Sequence, residues 1–213
     1  MTKPARDVNK MSAVKNLVKF PALKSPLEPG RQTITVESIL ESEYCLHLEF
    51  DPAVVAYYPQ PKTYQVPTDH GVRKYTPDFR VEFEGKKKTI VEVKTVEDAY
   101  DDDNQHLYEQ FQLHCLDEKT NFLLVDDLEI RQQPLLQNYE ELYEYLDGSW
   151  FDQSVLNCWV NKISGRHTLS SLFQKFGEEV SIGEVYTWIA MGFLKFNIQE
   201  VELNLASELE FHV

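Results

Sequence analysis

Apolar positions along the first two thirds of the chain switch repeatedly between the helical and the strand period. VESILESEYCLHLE, residues 36–49, has helical spacing and predicts a helix that stops before Asp51-Pro52. Residues 53–66 read as two short strands around Pro59 and Pro61. Residues 77–84 and 87–94 alternate apolar and polar on either side of Gly85, the signature of a hairpin. Residues 98–117 turn from polar to amphipathic, with Leu107, Phe111 and Cys115 at helical spacing. NFLLV, residues 121–125, is a short continuous apolar run that fits a buried strand, and residues 136–147 predict a further helix. Helix, several strands, helix, strand, helix is the order of an α/β sandwich around a mixed sheet.

From about residue 149 the pattern changes. Leu169, Phe173 and Phe176 have helical spacing and are followed by Gly177. Ser181 is placed to cap a second helix, SIGEVYTWIAMGF, which breaks near Gly192. Two short β-capable runs follow, Phe193–Phe196 and Val201–Leu205. This outline predicts a small winged-helix-like domain over 149–213, behind a principal domain over 32–148. The second helix carries Glu184 and no Lys or Arg, so a protein-docking role is favoured over direct DNA reading. Residues 1–31, broken by Pro4, Pro21, Pro26 and Pro29-Gly30, read as an extended arm.

Composition sets limits on these elements. At 42% apolar and 12% aromatic residues, the chain has ample material for a buried core. No apolar run approaches the roughly 20 residues of a membrane span, and no secretory signal is evident, so a cytoplasmic, bacterial setting is expected. Cys45, Cys115 and Cys158 are far apart and odd in number, and read as reduced core thiols. The formal net charge is −14. Residues 1–31 hold seven basic against two acidic residues, a local +5 that leaves −19 on the rest. The arm has the charge to track phosphates, or it is a solvated leader. The acidic body favours a protein to which a partner delivers DNA.

The candidate chemistry lies in YTPDFRVEFEGKKKTIVEVK, residues 75–94. A turn centred on Gly85 sets Asp78 opposite Glu92. Phe79, Val81, Phe83, Val91 and Val93 then share one face, and Asp78, Arg80, Glu82, Glu92 and Lys94 the other. Two neighbouring carboxylates repel unless a cation lies between them, and an all-oxygen donor set favours Mg²⁺ or Mn²⁺. A lysine beside such a pair is placed to orient water or stabilise developing negative charge. The competing reading is a solvated face of alternating charges. A third carboxylate is expected from the 36–49 helix. Glu41 shares a flank with Tyr44, Cys45 and Leu48, where an unpaired carboxylate is costly. Glu37 is the competing candidate, and a helix-surface glutamate the plain alternative.

Three stretches together resemble the TnsA-type endonuclease subunit of heteromeric transposases, within the PD-(D/E)xK nucleases. They are ESILESEYCLHLEFDP (37–52), YYPQP (57–61) and YTPDF…VEVK (75–94). The resemblance implies a restriction-endonuclease-like mixed sheet flanked by helices and followed by a winged-helix-like C-terminal domain. It implies that Glu41, Asp78 and Glu92 hold Mg²⁺, with Mn²⁺ as a substitute, and that Lys94 is the catalytic lysine. It further implies cleavage of the 5′ strands at transposon ends, beside a TnsB-type transposase that acts on the 3′ ends and a TnsC-type ATPase regulator. Some family members have glutamine where this chain has Glu92. Two alternatives remain open from the sequence, a stand-alone nuclease of restriction, repair or phage type and a non-catalytic binding module on the same fold.

Overall fold

The computed structural model describes residues 17–24, 32–69, 71–85 and 88–212. The chain divides into two compact units, Met1–Arg131 and Gln132–Val213.

The first unit begins with strands β1 (Val18–Ala22) and β2 (Gln32–Val36), which pair antiparallel. Residues 17–24 are therefore not part of an extended arm. Pro21 lies within β1 because both strands of a two-stranded sheet are edges, where the missing N–H of proline is tolerated. Phe20, Ala22, Ile34 and Val36 bury one face of this ribbon. Lys3, Arg6, Lys10, Lys15 and Arg31 of the expected arm lie outside the described residues.

Helix α1 (Ile39–Phe50) starts where Ser38 accepts a hydrogen bond from the Glu41 N–H and ends at Asp51. Lys24, just after β1, donates through Nζ to the carbonyls of Leu48 (3.0 Å) and Asp51 (2.6 Å). A cation at the carbonyl end of a helix is favoured by the helix dipole. Glu49 Oε1 in turn accepts from the Leu23 N–H (2.8 Å) and from Tyr57 Oη (2.8 Å). One of the basic residues counted toward the arm is thus spent inside the domain.

The chain continues through β3 (Val54–Pro59), the hairpin β4 (Tyr64–Thr68) and β5 (Gly71–Tyr75), and the hairpin β6 (Phe79–Phe83) and β7 (Thr89–Lys94). The short helix α2 (Val96–Ala99) and α3 (Asp102–Asp117) lead to β8 (Asn121–Asp126) and α4 (Asp127–Ile130). The main sheet has the order β3-β6-β7-β8, antiparallel except for the parallel pair β7/β8. This is the expected mixed sheet. Phe79 pairs with Val91, Arg80 with Ile90 and Val81 with Thr89, the register read from the position of Gly85.

Strand β7 is central, and Thr89 through Val93 are buried. On one face, Phe79 packs against Tyr44 of α1 and Tyr57 of β3, at ring separations of 5.7 and 6.1 Å. On the other, Ile90 joins Tyr64, Val66, Tyr75, Leu107, Tyr108, Phe111 and Cys115, contributed by the β4–β5 hairpin and α3. Phe111 centres this cluster, 4.7 Å from the Tyr75 ring, 4.9 Å from Tyr64 and 5.3 Å from Phe122. Burying a side chain of that size contributes roughly 1.5–3 kcal/mol, and here it also fixes Tyr75.

The second unit contains α5 (Leu135–Leu142), a 3₁₀ turn, α6 (Gln153–Val160), β9 (His167–Thr168), α7 (Leu169–Phe176), α8 (Ile182–Ala190), β10 (Leu194–Lys195) and β11 (Glu208–Phe211). The three strands form an antiparallel sheet in the order β10-β11-β9. Ser181 and Glu184 cap α8 reciprocally, and Gly177 closes α7 at a positive φ of 55°. Trp188, Phe176 and Trp159 pack edge to face in the core.

The division falls at Arg131/Gln132 rather than after residue 148. The buried Asn138 of α5 explains why. Its amide donates to the carbonyls of Ile198 and Val201 and accepts from the Leu203 N–H, each at 2.8 Å. That helix is therefore tied to the C-terminal part of the chain. Two other expectations change here. Val201–Leu205 is not a strand, and β11 pairs with β10 instead. Cys45 and Cys115 are buried, but Cys158 is exposed on α6.

Candidate active site

Asp78 precedes β6, and Glu92 and Lys94 lie on β7, so the hairpin register brings them together. Lys94 Nζ is 3.1 Å from Asp78 Oδ2 and 2.8 Å from Glu92 Oε1, and donates at 3.0 Å to its neighbour's carbonyl at Val93. Asp78 Oδ2 also accepts from the Val93 N–H at 2.9 Å. Asp78 and Glu92 are only 5% and 4% exposed, which separates this pair from a solvated face of alternating charges.

Glu41 enters from the first turn of α1 and is equally buried, at 5% exposure. Its carboxylate accepts from the Glu37 N–H (2.9 Å), Ser38 Oγ (3.1 Å) and Gln60 Nε2 (3.3 Å). Ser38-Ile39-Leu40-Glu41 thus also works as a helix-capping sequence, an ordinary role for a glutamate at this position. Glu37 lines the same cleft as Glu41.

These residues open onto a cleft of about 510 Å³ whose lining includes Glu41, Arg73, Lys74, Asp78, Glu92 and Lys94. Its electrostatics follow from three buried carboxylates facing one ammonium. Glu41 is pushed up to about 7, first by burial and then by the charge of Asp78. Glu92 is pushed up to about 7 by the same two causes, against the pull of Lys94. Burial alone would lower the Lys94 ammonium, but Asp78 and Glu92 outweigh it and raise it above the ordinary lysine value. Lys94 is therefore a fixed positive charge and a proton donor to hydrogen bonds, not a base near neutral pH. Among the described residues, no three His, Cys, Asp or Glu side chains are gathered closely enough to hold a metal ion as they stand.

Two residues of the site were not singled out from the sequence. Tyr75 donates from Oη to Glu92 Oε2 at 2.7 Å, held by the aromatic cluster around Phe111. Gln60, between Pro59 and Pro61, is fully buried beside Glu41. The only hint of Tyr75 was its place three residues before Asp78. Gln60 falls within the YYPQP stretch that carries the resemblance, but its role was not legible there, because its contacts come from distant segments.

A mixed sheet flanked by helices, with Asp78 at the head of one hairpin strand and Glu92-x-Lys94 at the end of the next, fits a restriction-endonuclease-like fold. Within that class, residues 51–127 match the family model described as TnsA-like endonuclease N terminal, so this part of the chain is similar to a nuclease domain of the TnsA type. The match takes in Asp78, Glu92 and Lys94 and begins after Glu41. No curated protein matches the chain. No helix among the described residues is long and apolar enough to cross a membrane.

Proposed function

We propose that this chain is the metal-dependent endonuclease subunit of a TnsA-type transposase, hydrolysing the 5′ strands at transposon ends. The observation that carries this reading is the buried group Asp78, Glu92 and Lys94, with Glu41 beside it, inside a TnsA-like domain. Carboxylates raised to about 7 by burial first and by the charge of Asp78 second are a set that a divalent cation would relieve. The all-oxygen donors suit Mg²⁺ or Mn²⁺, with Glu41, Asp78 and Glu92 as the holding residues. Bound there, the cation would polarise the scissile phosphate and acidify a water. Lys94 would contribute a permanent positive charge against the negative charge that develops on the phosphate. The test is a strand-resolved cleavage assay with the partner TnsB-type transposase, with Mg²⁺ present and withheld. Loss of only the 5′ cut without metal supports the reading, and 5′ cleavage undiminished by chelation refutes metal dependence.

The DNA strand would approach along β5. Arg73 and Lys74 are exposed there and line the cleft, the positive side of a site otherwise rich in carboxylates. Replacing both with alanine is expected to weaken DNA binding and to flatten the dependence of log affinity on log salt by about two units. Anisotropy titrations in the presence of the partner transposase would measure this, and an unaltered slope would count against a phosphate contact.

We read the second unit as a winged-helix-like module for docking a protein partner, such as a TnsC-type regulator. The sequence α6, β9, α7, α8, β10, β11 supports the class. Helix α8 carries no Lys or Arg, and residues 132–213 hold twelve acidic against four basic residues, which disfavours a DNA-reading role. Removing residues 132–213, the boundary the fold indicates, is expected to abolish capture of the regulator. Retention of capture by the shortened chain would exclude the docking role.

A further inference from the structure

Gln60 concentrates several unfavourable features in one residue. It is fully buried, at 0% exposure. Its φ is +40°, in the left-handed region that glycine and asparagine enter far more easily. Its side-chain carbonyl Oε1 is buried and finds no hydrogen-bond partner among the described residues. Strained and unsatisfied groups persist only where their surroundings hold them, and they cluster at functional sites.

The contacts that Gln60 does make lead to two of the proposed metal-holding carboxylates. Its backbone N–H donates to the carbonyl of Asp78 at 2.8 Å. Its Nε2 donates to Glu41 Oε2 at 3.3 Å. Asp78 immediately precedes β6, and Glu41 lies on α1. Gln60 therefore joins the helix that carries one carboxylate to the strand end that carries another. It is absent from the lining of the cleft itself, so it lies behind Glu41 rather than beside the reacting atoms. A turn at positive φ alone would be better served by glycine or asparagine. Of the roles the structure offers, only the bond to Glu41 needs a side chain of this length.

From this geometry we infer that Gln60 is a positioning residue, which fixes the Glu41 carboxylate relative to Asp78 for binding of a divalent cation. The inference rests on the metal-dependent reading of the site. It uses Glu41 as a ligand, a residue outside the segment that matches the TnsA-like family model. Partners behind metal ligands typically change affinity by about 10–100-fold when removed.

The test measures Mn²⁺ binding to the full chain, without DNA, by electron paramagnetic resonance. Gln60→Asn keeps an amide and tolerates the backbone conformation but is one methylene too short for Glu41. It is expected to weaken Mn²⁺ binding about tenfold while leaving the unfolding temperature close to that of the parent. Gln60→Gly relieves the backbone strain and is expected to weaken Mn²⁺ binding to the same degree. In a Glu41→Ala background, Gln60→Asn should cause no further loss, because the group it orients is gone. Parental Mn²⁺ affinity in both Gln60 variants, or a full additional loss in the Glu41→Ala background, overturns the inference. If the parent chain itself takes up no Mn²⁺, the metal-dependent reading falls, and the inference falls with it.

Discussion

In a reconstituted transposition reaction, Asp78→Asn and Lys94→Ala are each expected to abolish cleavage of the 5′ strands while the partner transposase continues to cut and join the 3′ ends. Asparagine is the better replacement at Asp78 because Oδ2 accepts from the buried Val93 N–H, and the amide oxygen preserves that bond. Activity then changes without the collateral cost of an orphaned backbone donor. Lys94→Ala removes the one ammonium that Asp78 and Glu92 share, and with it the charge proposed to face the phosphate. Loss of one fixed donor of this kind costs roughly 100–1,000-fold in rate. With the 5′ strands uncut, the transposon stays attached to its donor, so products should shift from simple insertions to cointegrates. Sequencing the insertion junctions measures that ratio. An unchanged ratio in both variants would move the function away from strand cleavage and toward a binding module on a nuclease scaffold.

These predictions rest on a part of the chain that was unusually legible. Alternation of apolar and polar residues on both sides of Gly85 specifies a register, and a slip by one would have turned Phe79 and Val81 to the wrong face. That pairing sets Asp78, Glu92 and Lys94 on one face, and only the resemblance to TnsA-type endonucleases turns that shared face into an expected catalytic set. Glu41 was legible for a different reason, since its flank of α1 is apolar and the helix period places it there. What the pattern concealed was tertiary. Strand β5 is mostly exposed, so GVRKY lacks the apolar alternation that would announce it. Its partner β4 and the helix α3 then form the cluster that orients Tyr75, through contacts more than thirty residues apart in sequence, as from Tyr75 to Phe111. Asn138 posed the same difficulty for the domain boundary. Nothing in the periodicity of residues 136–147 marks it, yet its side chain makes three hydrogen bonds to the backbone of Ile198, Val201 and Leu203.

The charge balance of the site yields the second large effect, in stability rather than rate. Glu92 is raised from about 4.5 to about 7 in the folded protein, by burial first and by Asp78 second. A carboxyl raised on folding binds its proton more tightly in the folded state than in the unfolded one. Its contribution therefore turns destabilising as the pH climbs from about 4.5 to about 7, and it is fully present above that window. Glu92→Gln removes the titrating group but keeps an oxygen for Lys94 and an amide for Tyr75. Without metal at pH 8, this variant is expected to be more stable than the parent, by up to about 3 kcal/mol from a shift of this size. The advantage should shrink steadily below pH 7 and vanish near pH 4.5, where both proteins are neutral at this position. Adding Mg²⁺ at pH 8 should reverse the order, because a cation held by Glu92 stabilises the parent in proportion to its affinity. Thermal unfolding in chelator and in Mg²⁺, at pH 5 and pH 8, reads all four conditions. A parent more stable than Glu92→Gln at pH 8 in chelator would mean that Lys94 alone already balances the buried carboxylates. The site would then have no unmet charge for a cation to satisfy.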